Sequence, residues 1–254
     1  MKNNLKQALK SNQISIGTWI TIGHLSMVEI LLTADFDWFA IDLEHSVINL
    51  ETTQQMISTI NQSGKSSLVR VSKNEEVVIK RVMDAGATGV IIPMVCSKED
   101  AQKAINYVKY PPVGKRGVGL ARAQKFGIGF EEYRMWLKEE SVIICQIEHI
   151  NGVKNLKDIL SLNEVDGIII GPYDLSASLG KPGQFEDKEV MDAIRVIEEI
   201  CKELDKPLGM HVIPPDHIQL NDKIRKGYSF LGFSLDFLFL GEKAREEVIK
   251  IIRK

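Results

Sequence analysis

Two carboxylates, Glu148 and Asp174, each follow a short apolar segment of the sequence. Carboxylate oxygens are the ligands that hard divalent cations prefer, and two of them leave most of an octahedral coordination sphere open for water and a chelating ligand. The pattern indicates a site for Mg²⁺ or Mn²⁺, because without a cation the paired charges would repel and one group would be protonated. The alternative is that each residue caps a helix, Glu148 one that begins near Gly152 and Asp174 one over residues 175–179.

Arg70 and His45 are two further side chains suited to chemistry. The guanidinium of Arg70 is permanently charged and forked, so it can bind a carboxylate or stabilise a developing enolate oxygen. An ion pair with Asp42 or Glu44 is its structural alternative, and the two roles can coexist. His45 is a candidate general base, because imidazole titrates near neutral pH and a neighbouring carboxylate can orient it. The alternative for His45 is a hydrogen-bonded structural role. The presence of Arg70 and two carboxylates nearby favours the role of general base over the structural one.

Three nearby side chains fit a reaction less well. Lys73 could form a Schiff base, but it lies three positions after Arg70 and off the apolar segment, where a desolvated amine of low pKa would more readily be held. His149 is interpreted as structural, because if its neighbour Glu148 points towards the bound cation, His149 should point elsewhere. Cys145 is interpreted as a small core residue.

The apolar segments before these residues alternate with longer segments of helical period, as parallel strands alternate with crossover helices. Gly64, Gly86 and Gly227 lie where left-handed C-caps would end three of the helices. Eight strands are predicted, over residues 14–20, 38–42, 67–71, 89–93, 142–147, 167–170, 207–211 and 230–233. Helices are predicted over residues 26–33, 50–63, 75–85, 98–108, 152–160, 187–203, 216–226 and 242–252.

Eight successive βα units favour an α/β fold of the closed (β/α)₈ TIM-barrel type, as a single domain over residues 1–254, rather than an open doubly wound sheet. Catalytic groups of such a barrel come from the C-terminal ends of its strands, so the residues above are expected to converge on one mouth. One long irregular stretch, residues 110–129, is rich in glycine. Such a loop covers a substrate, contacts another subunit or is a solvated excursion.

The composition argues against several classes of function. With 32 Lys and Arg against 34 Asp and Glu, the formal net charge of −2 gives no field that would attract nucleic acid or an anionic membrane. No segment reaches the roughly 18 apolar residues of a membrane span, and residues 1–10 have no apolar signal-peptide core. Cys96, Cys145 and Cys201 are far apart, which argues against a disulfide framework and a zinc knuckle. We therefore expect a cytoplasmic protein that binds neither nucleic acid nor membrane.

Three parts of the sequence resemble the HpcH/HpaI aldolase family, the metal-dependent (class II) pyruvate aldolases related to the citrate lyase β subunit. They are residues 37–45 (DWFAIDLEH), residues 110–119 (YPPVGKRGVG), and residues 146–148 (QIE) together with 165–176 (VDGIIIGPYDLS). The similarity extends over nearly the whole chain, and the motifs together are far more specific than any one of them.

The resemblance implies a role for each candidate. Glu148 and Asp174 match the metal ligands of the family, Arg70 its pyruvate-contacting arginine and His45 its catalytic histidine. Asp84 matches the carboxylate that assists this histidine, from the neighbouring part of the site or from another subunit. Spacing alone does not single out Asp84.

The resemblance also implies the substrate pocket. Gln146 resembles a pocket glutamine, Gly171 and Tyr173 would place backbone amides near the substrate carboxylate, and Asp174 would face the substrate as well as the metal. The segment 209–217, with Val212, would border the aldehyde end. Two departures affect substrate choice: Tyr173 stands where the family often has a small residue, and the segment 209–217 differs from that of the better-known aldolases.

The reaction that the resemblance implies is the cleavage or formation of a 4-hydroxy-2-oxo acid through a pyruvate enolate, with an aldehyde as the other partner. The implied cofactor is Mg²⁺ or Mn²⁺, with Co²⁺ and Zn²⁺ as alternatives. A synthase of the same family that condenses an oxo acid or acyl donor with an acceptor remains an alternative, as does a barrel that only binds a metabolite. The resemblance further implies a homo-oligomer, a hexamer built as a trimer of dimers, with the C-terminal helix packed on a neighbouring subunit.

Overall fold

Eight parallel strands form a closed barrel in the computed structural model, which describes residues 4–251. Each strand pairs with the next in the sequence, and the last pairs with the first, so the (β/α)₈ barrel predicted from the sequence is confirmed. Residues 1–3 and 252–254, including Ile252 at the predicted end of the last helix, lie outside the described residues. In order, β1 to β8 are Ser15–Ile20, Trp38–Asp42, Ser66–Arg70, Gly89–Ile92, Val142–Ile147, Gly167–Ile170, Leu208–Val212 and Phe230–Leu235.

Most helices lie between the strands on the outside of the barrel, whereas the first helix precedes β1 and the last follows β8. In order, α1 to α12 are Asn4–Lys10, Leu25–Leu32, Leu50–Gln62, Glu76–Asp84, Lys98–Val108, Phe130–Glu139, Ile150–Lys154, Leu156–Leu160, Pro172–Ser178, Lys188–Glu203, His217–Arg225 and Asp236–Val248. A 3₁₀ helix over Arg122–Gly127 lies in the long irregular stretch. Within residues 4–251, no helix has the length and apolar character needed to cross a membrane.

Several features of the helices differ from the prediction, and the eight predicted helices do not include α9. The sequence pattern gave no sign of α1, which is only seven residues long, or of α6, which follows the glycine-rich stretch directly. The predicted helix over residues 152–160 is interrupted at Asn155, whose backbone leaves the helical region and whose side-chain amide donates to the carbonyl of Cys96 at 2.8 Å. The last helix begins at Asp236, six residues before its predicted start, because the residues that follow Asp236, 237–240, are all apolar and show no helical period.

Apolar side chains fill the interior of the barrel. Trp38 stacks on Phe230 with a ring-centroid distance of 4.4 Å, and Leu5 and Leu9 of α1 pack into the same interior cluster from the N-terminal ends of the strands. Trp38 lies so close to Gly17 that a Cβ there would come within 2.0 Å of the indole. Side chains therefore fill the interior below the C-terminal ends of the strands, as is usual for a barrel of this kind.

Asp236 closes the seam between the last strand and the first. It is buried and accepts hydrogen bonds from the backbone N–H of Thr21 at 2.8 Å, from the Thr21 hydroxyl at 2.8 Å and from the backbone N–H of Ile22 at 2.7 Å. A carboxylate has enough lone pairs to accept all three. The start of α12 is thereby fixed to the end of β1.

We predict that Asp236→Asn destabilises the protein by about 1–3 kcal/mol, because an amide has one acceptor oxygen and would leave at least one buried N–H unpaired. Urea denaturation followed by circular dichroism measures the change. Asp35→Asn is the matched control, since the Asp35 side chain is fully exposed and contacts only the partly exposed Lys65 at 3.1 Å among the described residues. Equal midpoints for the two variants would contradict the role given to Asp236.

Candidate active site

Arg70 and Asp42 form a two-pronged ion pair at the ends of neighbouring strands. The Nε and Nη2 atoms of Arg70 donate to the two carboxylate oxygens of Asp42 at 2.9 Å and 2.6 Å. The backbone N–H groups of Glu44 and His45 also donate to Asp42. Burial alone would raise the pKa of Asp42, but the hydrogen bonds and charge of Arg70, with the two backbone donors, hold it below its usual value. The structural pairing considered for Arg70 is thus present, and it orients the guanidinium.

The guanidinium of Arg70 packs against the face of an aromatic ring, with its central carbon 4.5 Å from the ring centroid of Trp19. The Trp19 ring in turn lies 5.1 Å from that of His211, whose Nε2 is 3.1 Å from the carbonyl oxygen of Ser234. Burial lowers the pKa of His211 to about 4, so this imidazole is neutral at physiological pH. The cation of Arg70 is therefore held between a carboxylate and an aromatic face.

His45 stands at the rim of the mouth. Its side chain is 66% exposed, and its Nε2 lies 3.9 Å from Oε2 of Glu44, too far for a hydrogen bond. The same Glu44 oxygen is 3.4 Å from Nε of Arg70. Burial raises the pKa of Glu44, and the Arg70 charge opposes that rise. His45 is thus free to face a group that approaches from outside the barrel.

Glu148 is buried at the end of β5, with a hydrogen-bond donor on each oxygen. The backbone N–H of Met94 donates to Oε1 at 2.6 Å, and the side-chain amide of Gln146 donates to Oε2. Burial raises the pKa of Glu148 above its usual value, the two donors lower it, and the charge of Asp174 raises it further. The helix-cap role considered for Glu148 is wrong, because His149 caps α7 through its Nδ1, which accepts from Asn151.

Asp174 follows the next strand and is exposed in the third position of α9. The cap of that helix is Gly171, so the helix-cap role considered for Asp174 is wrong as well. A Cβ at Gly171 would come within 2.8 Å of Oε2 of Glu148. Only glycine therefore lets the chain pass beside that carboxylate. Tyr173 is 54% exposed and packs edge-on against Phe185 at 4.7 Å between ring centroids.

The remaining candidates lie in different surroundings. Val212 is buried at the end of β7, at the same end of the barrel as the mouth. Lys73 has a side chain that is 72% exposed and pairs with Glu75 at 2.6 Å, which raises its pKa. These are the opposite of the surroundings that a Schiff-base amine needs, so the Schiff-base hypothesis for Lys73 receives no support.

Asp84 is not brought to His45 within one chain. It is the last residue of α4, just before β4 begins, whereas His45 follows the C-terminal end of β2. At about 3.3 Å per residue, the four residues of β4 alone separate the two ends of the barrel by about 13 Å. The charged neighbours of Asp84 are instead Arg116 and Lys80.

Comparison with known proteins identifies the family. Residues 15–230 match the family model described as HpcH/HpaI aldolase/citrate lyase. The chain belongs to this family. The 4-hydroxy-2-oxo-heptane-1,7-dioate aldolase of Shigella sonnei is 35% identical over 234 residues, which cover 91% of this chain and 86% of that protein. The hydroxypyruvate/pyruvate aldolase of Roseobacter denitrificans is 31% identical over 239 residues, covering 94% of this chain and 93% of that protein.

The structural likeness extends over the whole barrel of this HpcH/HpaI family member. A crystal structure of a family protein from Burkholderia cenocepacia J2315 has a TM-score of 0.92 at 28% identity and covers 98% of this chain and 99% of that one. The predicted family, fold and enzyme class, an aldolase-type lyase, are confirmed.

Sequence reasoning missed Met94, whose backbone N–H binds Glu148, and treated Asp42 only as an alternative partner. Met94 leaves no signal in the pattern, because its contribution comes from a left-handed backbone conformation with φ of 52°. The contact of Asp42 with Arg70 could be read from strand order alone, since the two residues are direct partners across β2 and β3 in the barrel.

We predict that Arg70→Lys lowers kcat for carbon–carbon bond cleavage about 100-fold or more, because lysine keeps the charge but loses the fork that Asp42 orients. Steady-state kinetics measures the effect. Arg134→Lys is the matched control, since Arg134 pairs with Glu131 on the exposed face of α6. A kcat near the wild-type value for Arg70→Lys would show that the fork is not needed.

Proposed function

We propose that this protein is a divalent-metal-dependent aldolase that cleaves or forms 4-hydroxy-2-oxo acids, with pyruvate or a related 2-oxo acid as donor. The observation that carries the proposal is the buried carboxylate of Glu148, with Asp174 following the neighbouring strand and the oriented Arg70 at the same mouth. The relatives are named for 4-hydroxy-2-oxo-heptane-1,7-dioate and for hydroxypyruvate or pyruvate, which supports this donor class.

The residues present fit a hard cation. Glu148 and Asp174 contribute two negative charges, and the described residues show no hydrogen-bonded cationic side chain on either of them. Within residues 4–251 no group of three or more His, Cys, Asp or Glu side chains is arranged to hold a metal ion. A cation at this pair would therefore keep positions for water and substrate, as Mg²⁺ and Mn²⁺ do. Co²⁺ and Zn²⁺ are alternatives.

Each side chain at the mouth would then have a separate role in binding or catalysis. A bound cation supplies Lewis acidity that polarises the oxo group of the donor. Arg70 faces the same oxygen and stabilises the negative charge that develops there. Gln146 positions Glu148 and borders the donor, and the backbone at Gly171 presents its N-terminal helix end to the donor carboxylate. His45 moves the proton on the 4-hydroxyl of the aldol.

The acceptor end of the pocket would be set by the residues that depart from the family pattern. Tyr173 packs against Phe185 at the mouth, and Val212 is the last residue of β7. Tyr173 and Val212 therefore border the part of the pocket in which the aldehyde would bind. A tyrosine there narrows the entrance and adds a hydroxyl, which favours a small or polar aldehyde. The near balance of charges and the free cysteines support a cytoplasmic location for this chemistry.

A homo-oligomer is part of the proposal, with a hexamer as the expected form. Among the described residues of α12, only Asp236 is fully buried, while Phe237 and Leu240 are 47% and 62% exposed. A helix whose apolar first half, residues 237–240, is buried so little on its own barrel is suited to pack on a neighbouring subunit. Asp84 points to the same conclusion, because it can assist His45 only if it comes from another copy.

We predict that Glu148→Gln abolishes aldol formation from pyruvate and a panel of aldehydes, and that EDTA does the same to the wild type. Burial raises the pKa of Glu148 in the folded chain above its usual value, so its charge destabilises the metal-free protein at neutral pH, where the unfolded chain is ionised. The neighbouring Gln146 can turn its side-chain amide so that its oxygen accepts from the new amide, and no buried hydrogen bond is then lost. The metal-free variant should therefore melt a few degrees higher than the metal-free wild type. Mn²⁺ should raise the melting temperature of the wild type only.

The control for this experiment is Glu203→Gln, which removes an exposed carboxylate paired with Lys157 and should keep activity and the Mn²⁺ response. A wild type that gains stability from Mn²⁺ but forms no aldol with any aldehyde would favour the synthase alternative. Retained aldol activity in Glu148→Gln would contradict the proposal that Glu148 binds the metal.

We also predict that mixing two impaired variants, His45→Ala and Asp84→Asn, restores activity. In randomly mixed oligomers about a quarter of the sites would combine an intact His45 with an intact Asp84 from the neighbouring chain. Co-expression of differently tagged chains followed by tandem purification and an aldol cleavage assay measures the recovery. His45→Ala mixed with Arg70→Lys is the control, because both residues come from one mouth and mixing cannot repair it. Absence of recovery in the first mixture would place Asp84 outside the site.

A further inference from the structure

The long glycine-rich stretch, residues 110–129, contains a fully buried arginine. Arg116 has a side chain with 0% exposure, and its guanidinium lies 4.4 Å from the ring centroid of Tyr110 and 5.5 Å from that of Tyr133. An arginine is charged at every physiological pH, so burying it carries a large desolvation penalty. Two aromatic faces offset only part of that penalty.

The charge of Arg116 is directed at Asp84. Its Nη1 lies 3.9 Å from Oδ1 of Asp84, within ion-pair range but beyond a hydrogen bond. In the described part of the chain, both of these atoms and Nε of Arg116 are buried without a hydrogen-bond partner. The other Asp84 oxygen, Oδ2, faces the backbone of Gly119, where a Cβ would still be 3.6 Å away. One carboxylate oxygen therefore faces Arg116, and the other lies beside a position that has no side chain.

The same stretch fixes the backbone on both sides of Asp84. Nη2 of Arg116 donates to the Tyr133 hydroxyl at 2.8 Å, and that hydroxyl donates to the carbonyl of Met83 at 3.2 Å. On the other side, Arg122 donates to the carbonyl of Ala85 at 2.8 Å. Tyr133, itself bonded to Arg116, and Arg122 thus donate to carbonyl groups at the C-terminal end of α4.

We propose that Arg116 is a positioning residue for Asp84: through Oδ1 and the Tyr133 relay it fixes this carboxylate so that Oδ2 is presented to His45 of a second copy of the chain. This inference rests on the proposed function, since it gives Asp84 a partner in the assembled enzyme. The glycine-rich stretch is then part of the catalytic apparatus although it lies at the opposite end of its own barrel from the mouth.

A purely structural role for Arg116 makes a different prediction. If Arg116 only held α6 through Tyr133, its removal would lower stability and would affect catalysis independently of Asp84. If it acts through Asp84, the two substitutions would not add, because the second would remove a contact already without effect. The charged groups that face Asp84 are Arg116 from the glycine-rich stretch and Lys80 from α4.

The test is a double-mutant cycle on the full-length enzyme with Arg116→Gln, Asp84→Asn and the combined variant. We expect each single variant to lower kcat about tenfold to hundredfold with little change in KM for the 2-oxo acid. The combined variant should be no slower than Asp84→Asn alone. Arg116→Gln should also move the acid limb of the kcat profile to higher pH by about one unit, because loss of the cation raises the pKa of Asp84. Arg116→Lys should recover part of kcat.

Tyr133→Phe provides a milder second variant if Arg116→Gln does not fold, and it should lower kcat severalfold. Its matched control is Tyr228→Phe, which removes a buried hydroxyl bonded to Glu198 at 2.6 Å on the other side of the barrel and should leave kcat unchanged. Multiplicative losses in the combined variant, or equal kcat values for the two tyrosine variants, would overturn the role of Arg116 while leaving the aldolase proposal intact. A wild type without aldol activity would overturn both.

Discussion

A negative charge that is buried at the end of an apolar barrel needs a compensating positive charge. The two buried carboxylates at this mouth differ in this respect, because Asp42 is hydrogen-bonded to such a partner, Arg70, and Glu148 to none among the described residues. Asp42 has the full fork of Arg70 and two backbone donors, so its pKa lies below the usual value. Burial raises the pKa of Glu148 above its usual value, the charge of Asp174 adds to this rise, and the two neutral donors oppose it only in part. Asp42 is therefore already paired within the protein. Glu148 carries the charge that remains available for a bound cation.

The backbone around Glu148, more than its side-chain neighbours, determines where the carboxylate points. Met94, two residues after β4, adopts a left-handed conformation and donates its backbone N–H to Oε1 of Glu148. Gly171 lets the chain leave β6 within contact distance of Oε2. The left-handed backbone of Met94 is strained for a residue other than glycine, and such strain persists where the surrounding structure holds it. Both positions lie at strand ends of a rigid barrel, which keeps the carboxylate in place before any ligand arrives.

Much of this arrangement could be predicted from the sequence. The strands Trp38–Asp42, Val142–Ile147 and Gly167–Ile170 have the predicted bounds, because each is a largely apolar run that begins after a polar residue and has a polar residue or glycine at or directly after its end. Their order places the polar residues that follow them at one end of the barrel. Asp84 could be taken only from the family resemblance, since a carboxylate at the end of an amphipathic helix has no distinctive spacing. The burial of Arg116 had no signal at all, because a basic residue between glycines is typical of an exposed loop.

The N-terminal end of a barrel of this kind usually contributes stability, and catalysis is concentrated at the other end. Arg116 and Asp84 do not fit a stabilising role well. Two desolvated charges held 3.9 Å apart, with three of their atoms lacking hydrogen-bond partners among the described residues, are a poor source of stability compared with apolar side chains of similar volume. Neighbouring positions show what such packing looks like, since Met83 and Val82 are buried in the apolar core. A charged pair beside that core is better explained by what the second oxygen of Asp84, Oδ2, can contact in an assembled protein. In that assembly, each mouth would be completed by the far end of another barrel.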